Sequence, residues 1–236
     1  SSRFFAIGPP MIPSPTNAIV SSAISSSLRS PDIKGTEPGI GVGAGDRLIR
    51  VAAERDGMTD ADATSPTAPT DEDAVERRLG RRLRDRGETL AVAESLTGGL
   101  VGSLLTDVPG SSDYLDRSVV AYSNDAKLDA LGVSRESLDA HGAVSAPVAR
   151  EMARGVRDDA EATWGVSTTG IAGPAGGTEE KPVGLVFVGV AYAAPWGTGD
   201  SFARAERRVI DGDRWTVKAK SARWALQTVH DAIEDR

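Results

Sequence analysis

Thr89-Leu-Ala-Val-Ala-Glu-Ser-Leu-Thr-Gly-Gly99 is followed at once by Leu100-Val-Gly-Ser-Leu-Leu105. Residues 89–93 form a short, apolar, β-prone run, and residues 98–105 read as a buried helix that ends before Pro109-Gly110. A strand that becomes a helix through Ser95-Leu96-Thr97-Gly98-Gly99 sets a hydroxyl nucleophile beside bare backbone N–H groups. Such a junction is suited to holding negative charge.

The same strand-then-helix rhythm extends in both directions. Upstream, Asp71-Glu72-Asp73 supplies caps and N-terminal negative charge, and Val75, Leu79 and Leu83 recur at helical spacing up to Gly87. Downstream, residues 117–122 predict a strand, residues 124–131 a short helix stopped by Gly132, and residues 134–138 another short helix. Ala146-Pro147 opens a longer helix through Val156, with proline acceptable in the first turn. Residues 163–168 and 183–192 read as strands, residues 203–210 as a further strand at an edge, and residues 214–233 as an amphipathic closing helix. Strands alternating with helices predict a layered α/β domain whose mixed β-sheet is flanked by helices.

Composition removes several classes of function. No apolar run approaches the roughly 18–20 residues of a membrane span, so a membrane partner is not expected. Cysteine is absent, which excludes disulfides and thiolate metal or redox sites, and His141 and His230 are too few for a multi-histidine metal centre. The net charge of −7 argues against nucleic acid as the main partner. An acidic, cysteine-free body rich in Asp and Ala suits a salt-adapted cytoplasmic protein.

The first 72 residues are unlike the remainder. Pro9, Pro10, Pro13 and Pro15 break any early element, and residues 21–30 are rich in serine without periodicity. The Gly-Ile-Gly-Val-Gly-Ala-Gly run at 39–45 has neither a preceding strand nor the Gly-Lys-Ser/Thr ending of a phosphate loop, so it reads as a plain glycine-rich segment. Residues 1–72 are therefore expected to be a disordered or non-native extension, with the functional chain starting near Met58 and the folded domain spanning 73–236.

Three segments gather small and polar residues directly after expected strands: residues 94–99, 121–127 and 167–177. In α/β sheets ligands collect beyond the carboxyl ends of strands, so these loops are expected to share one crevice. A serine needs a base to become a nucleophile at neutral pH. His230 lies in the closing helix, where a structural role suits it, and His141 sits in a loop that can line a site. Lys127 is the better base, provided the turn buries its amine and lowers its pKa, with Tyr122 relaying the proton. The residues by themselves favour the opposite arrangement, Tyr122 packed in the core and Lys127 in solvent. For residues 169–177, a phosphate-cradling loop and a simple tight turn account equally well for the glycines.

Taken together, AESLTGG (93–99), VPGSSDYL (108–115), VVAYSNDAK (119–127), LGV (131–133), HGAVS (141–145), TGIAGPAGG (169–177), EEKPVG (179–184) and GDR (212–214) resemble the C-terminal domain family of the competence-damage-inducible protein CinA. They occur in family order across residues 73–233. The resemblance implies a nicotinamide mononucleotide deamidase that hydrolyses the carboxamide to nicotinate mononucleotide and ammonia, within NAD recycling, with no metal or cofactor. It implies Ser95 as nucleophile and Tyr122 and Lys127 as relay and base. Thr97, Gly98, Gly99, Thr169, Gly170, Gly173 and Arg214 would bind substrate, with Arg207 and Arg208 as alternatives to Arg214 because the 193–211 segment is longer than usual. It also implies a homo-oligomer. Leu96 stands where many relatives have cysteine, and residues 1–72 are too short and irregular for the larger N-terminal domain of full-length relatives. The alternative reading is a non-catalytic nucleotide-binding or regulatory module of the same fold; a third is hydrolysis of another small amide. Intact-mass analysis of protein from its native host is expected to give a chain lacking residues 1–57.

Overall fold

The computed structural model describes residues 71–236. The expected start near Met58 and the glycine run at 39–45 lie outside the described residues. Five strands make one mixed sheet: β1 (Leu90–Glu94), β2 (Leu115–Val120), β3 (Trp164–Gly170), β4 (Leu185–Tyr192) and β5 (Phe202–Val209), in the order β2-β1-β3-β4-β5. β1 runs parallel to β2 and to β3, and β4 and β5 complete the sheet as antiparallel neighbours. Among the described residues six α-helices accompany them: α1 (Val75–Arg86), α2 (Leu100–Thr106), α3 (Asn124–Leu131), α4 (Arg135–His141), α5 (Ala146–Asp159) and α6 (Arg214–Glu234).

The layering follows from the two-residue period of a strand. Leu90 and Val92 of β1, Trp164 and Val166 of β3, and Val186, Val188 and Val190 of β4 enter one core with α1, α2 and α6. Ala91 and Ala93 of β1 enter the other, against Leu131 of α3, Leu138 of α4 and Val148, Met152 and Val156 of α5. Both faces of β1 are thereby covered, and every one of its residues is buried. β2 lies at an edge and alternates between half-buried and exposed positions.

α5 approaches the sheet closely because small residues lie beneath it. A β-carbon at Gly165 would lie 2.1 Å from the Ala153 carbonyl oxygen, and one at Gly189 would lie 2.2 Å from that of Ala149. Ser167, paired with Gly189 across the ladder, donates its hydroxyl to the Ala149 carbonyl at 2.6 Å. The helix backbone is thus bonded directly to the sheet.

Elements agree with the sequence in type and order, and boundaries shift for identifiable reasons. β2 begins at Leu115 because the parallel ladder with β1 starts at the Leu90–Leu115 pair, and it ends at Val120, releasing residues 121–123 as a loop. β3 continues through Thr169 and Gly170, read from sequence as loop, because they pair with Phe187 and Val186 of β4. A short 3-10 turn at Ser111–Asp113 has no counterpart in the sequence reading. Gly189→Val is expected to lower stability by about 1–3 kcal/mol through overpacking against α5, read from the midpoint of urea unfolding with the slope unchanged.

Candidate active site

The three parallel strands end on one side of the sheet, and the segments leaving them converge there. Because β2 and β3 flank β1 on opposite sides, the chain crosses over β1, the kind of position where ligands lodge in α/β sheets. A cleft of about 210 Å³ opens at this point, lined by Ser95, Leu96, Tyr122, Lys127, Ala143, Val144, Thr169, Gly170, Ala172 and Arg214.

The turn that carries Ser95 is fixed by its neighbour. Glu94, the last residue of β1, is fully buried, and its carboxylate accepts the N–H groups of Gly99, Val101 and Gly102 at 2.9–3.1 Å. The Ser118 hydroxyl of β2 also donates to it, at 2.9 Å. One carboxylate therefore satisfies the first turn of α2 and ties it to two strands. A β-carbon on Gly102 would fall 2.8 Å from that of Ser118, so glycine is required for this approach. Thr97 is held from the other side, its hydroxyl 2.7 Å from that of Thr168 on β3. The Ser95 N–H donates to the Thr168 carbonyl at 3.0 Å.

Lys127 comes from the first turn of α3. Ser123 caps that helix, its hydroxyl accepting the Ala126 N–H at 3.0 Å. Side chains on a helix lean toward its N-terminus, so Lys127 reaches back over the end of β2. Its Nζ donates to the carbonyls of Ala121 at 2.9 Å and Tyr122 at 3.1 Å and lies 3.3 Å from Ser95 Oγ. The side chain is 1% exposed, and burial pushes the amine below its ordinary pKa. The Ser123 carbonyl lies 3.5 Å from Nζ as well, and in its neutral form the amine can turn a lone pair toward the Ser95 hydroxyl.

The arrangement reverses the expectation drawn from the residues alone. Lys127 is the buried side chain, and Tyr122 is 64% exposed while lining the cleft. The physical reason is the strand end at Val120, which leaves Tyr122 on the loop and its carbonyl, not its phenol, bonded to Nζ.

The remaining residues divide by location. Thr169 is buried and donates its hydroxyl to the Ala143 carbonyl at 2.8 Å, which brings Ala143 and Val144 to the cleft wall. Arg214 opens α6, lines the cleft and donates to the Gly173 carbonyl at 2.8 Å. Arg208 instead stacks 4.4 Å from the Trp224 ring centre, and Arg207 and His141 line a separate cavity beyond Val144. His230 lies on α6 beside Asp231, away from the cleft. The Gly99 N–H, expected to face substrate, is already donated to Glu94. Sequence reading missed Glu94, and a carboxylate five residues before the first N–H of a glycine-led helix was the available signal.

An α/β domain with a buried lysine amine against a strand-end serine is equipped for nucleophilic chemistry. The chain belongs to the CinA C-terminal domain family, whose model matches residues 72–233. Among curated relatives, a CinA-like protein of Chlorobium limicola is 50% identical over 192 residues, covering 77% of this chain and 44% of its own. A CinA-like protein of Anaeromyxobacter sp. is 43% identical over 224 residues, covering 95% of this chain and 52% of its own. The chain thus spans about half the length of these relatives. The crystal structure of competence/damage inducible protein CihA from Agrobacterium tumefaciens has a TM-score of 0.61 at 39% identity, covering 68% of this chain and 93% of that one. That of competence damage-inducible protein A (ComA) from Klebsiella pneumoniae has a TM-score of 0.63 at 31% identity, covering 68% and 95%. No helix among the described residues is long and apolar enough to cross a membrane.

Lys127 has a measurable thermodynamic signature. Its folded pKa is below that of an unfolded lysine, so between the two values the unfolded chain binds more protons and stability rises with pH. This contribution is complete above the unfolded value and is lost as pH falls through the folded one. Urea unfolding from pH 7 to 10.5 is expected to show wild type gaining stability relative to Lys127→Met as pH increases.

Proposed function

We propose that this domain is a nicotinamide mononucleotide deamidase, converting the nucleotide and water to nicotinate mononucleotide and ammonia in NAD recycling. The observation that carries the reading is the buried Lys127 Nζ at 3.3 Å from Ser95 Oγ, its pKa lowered by burial. Once neutral, an amine at that distance is placed to act as a general base.

In the first half-reaction Lys127 takes the Ser95 proton as Oγ attacks the carboxamide carbon. Among the described residues the N–H groups of Leu96 and Gly98 meet no protein acceptor, and they follow the nucleophile directly, where a developing oxyanion needs donors. The ammonium of Lys127 returns the proton to the departing nitrogen, the C–N bond breaks, and ammonia leaves an ester on Ser95. Water then attacks the ester, giving a proton to Lys127, which passes it back to Ser95 Oγ as the nicotinate product departs. Tyr122 holds Nζ through its carbonyl, and its ring borders the opening through which substrate enters. Thr169 and Gly170 form the facing wall, and Thr97 and Gly173 support it through Thr168 and Arg214.

A non-catalytic binding module of the same fold has no use for a desolvated amine aimed at a serine, since burying an unpaired cation is costly. The deciding assay is ammonia release from nicotinamide mononucleotide, at low and high salt. Wild type is expected to turn over, with Ser95→Ala slower by at least about 10³-fold. The kcat/KM is expected to rise with pH and level off above the lowered pKa of Lys127. Folded wild type inactive in both salts would put the binding module or another amide ahead.

A further inference from the structure

A phosphate-bearing ligand entering this cleft cannot be held as the glycine pair after Ser95 first suggests. The N–H groups of Gly99, Val101 and Gly102, which open α2, are all donated to the Glu94 carboxylate. That helix start carries a buried anion of its own, and a second one there would be repelled. A phosphate kept off that helix start is better met by side-chain cations.

Two cations stand ready on α6. Arg214 and Lys218 are four residues apart, so they share one face of the helix. Arg214 lines the Ser95 cleft. Lys218 Nζ lies 3.6 Å from the point a Gly98 β-carbon would occupy, directly against the turn that follows the nucleophile. Lys218 is half-buried, yet among the described residues its ammonium has no carboxylate or carbonyl partner. The neighbouring lysines differ: Lys220 donates to the Asp211 carbonyl and Lys181 to that of His141. Gly98 is exposed, with φ +61, a backbone conformation that glycine adopts without strain.

We propose that Arg214 and Lys218 form a two-cation clamp that seats the phosphate monoester of the substrate against the Gly98 turn. The identification of that phosphate with the substrate rests on the deamidase reading; the same chemistry would accept free inorganic phosphate. Arg214 spends one guanidinium N–H on Gly173 and has others left for phosphate oxygens, while Lys218 supplies a point charge against the Gly98 turn. Binding energy from the phosphate end then holds the carboxamide end on Ser95.

The test compares wild type, Lys218→Met and Lys218→Arg on nicotinamide mononucleotide and on nicotinamide riboside, which lacks the phosphate. Circular dichroism first establishes that the variants fold. Lys218→Met is expected to raise KM for the mononucleotide about 10–100-fold, the loss of one charged hydrogen bond, with kcat within about threefold. The riboside should keep its kcat/KM, and Lys218→Arg should recover most of the mononucleotide KM. An unchanged mononucleotide KM, or equal losses on both substrates, overturns the clamp. Calorimetric titration of the mononucleotide and of inorganic phosphate runs alongside, independent of turnover. Weaker mononucleotide binding by Lys218→Met without turnover in wild type keeps the clamp and removes the deamidase reading. Lost inorganic phosphate binding with mononucleotide KM and affinity intact assigns the site to free phosphate and overturns the substrate clamp. Equal binding of both probes by wild type and Lys218→Met, or binding of neither, overturns it as well.

Discussion

A single buried anion organises the functional end of this domain. Glu94 is fully buried at the end of the central strand, and without partners its charge would cost several kcal/mol. Its oxygens are answered by three N–H groups at the start of α2, its cap Gly99 included, and one hydroxyl of β2, with no cation among these four donors. The carboxylate thus acts as a fixed post to which a strand, a helix and an edge strand are tied. Ser95 is the next residue, and its freedom is set by that post on one side and by the Thr168 carbonyl on the other.

At the same strand end, the structure buries a titratable amine and handles it differently. The Glu94 oxygens are met by donors, whereas Lys127 Nζ faces only carbonyls and a hydroxyl. Preorganisation of this kind is established in folding rather than at the moment of reaction. It also relies on precise backbone closeness elsewhere. The Thr169 hydroxyl holds Ala143, and the bond between Ser167 and Ala149 anchors the helix that follows that loop.

Much of this was legible in the sequence. Apolar spacing located each helix and strand, and the three polar segments after strands were correctly expected to meet, because parallel strands send their carboxyl ends to one side. Which side chain of the 121–127 segment would be buried was not legible. Hydropathy favours a packed Tyr122, but the outcome depends on where the β1–β2 ladder stops, and pairing register is a tertiary property. Equally hidden was the placement of the arginines, Arg214 at the cleft wall and Arg207 and Arg208 elsewhere on β5. Glu94 was overlooked because a carboxylate inside an apolar run reads as an interruption until its donors, five to eight residues ahead, are folded over it.

The distribution of tryptophan gives the molecule an optical property. Trp164 lies in the core against Tyr192 and Phe202, and Trp224 is buried beneath Arg208. Trp215 is 59% exposed and adjoins Arg214, while Trp196 stands in solvent on the hairpin joining β4 to β5, beyond the end of the sheet opposite the cleft. One fluorophore thus follows a cleft-lining residue in the chain, one stands at the far end of the sheet and two lie in the core. The emission of the unlabelled chain therefore combines two core tryptophans, sensitive to loss of packing, with two that already face solvent.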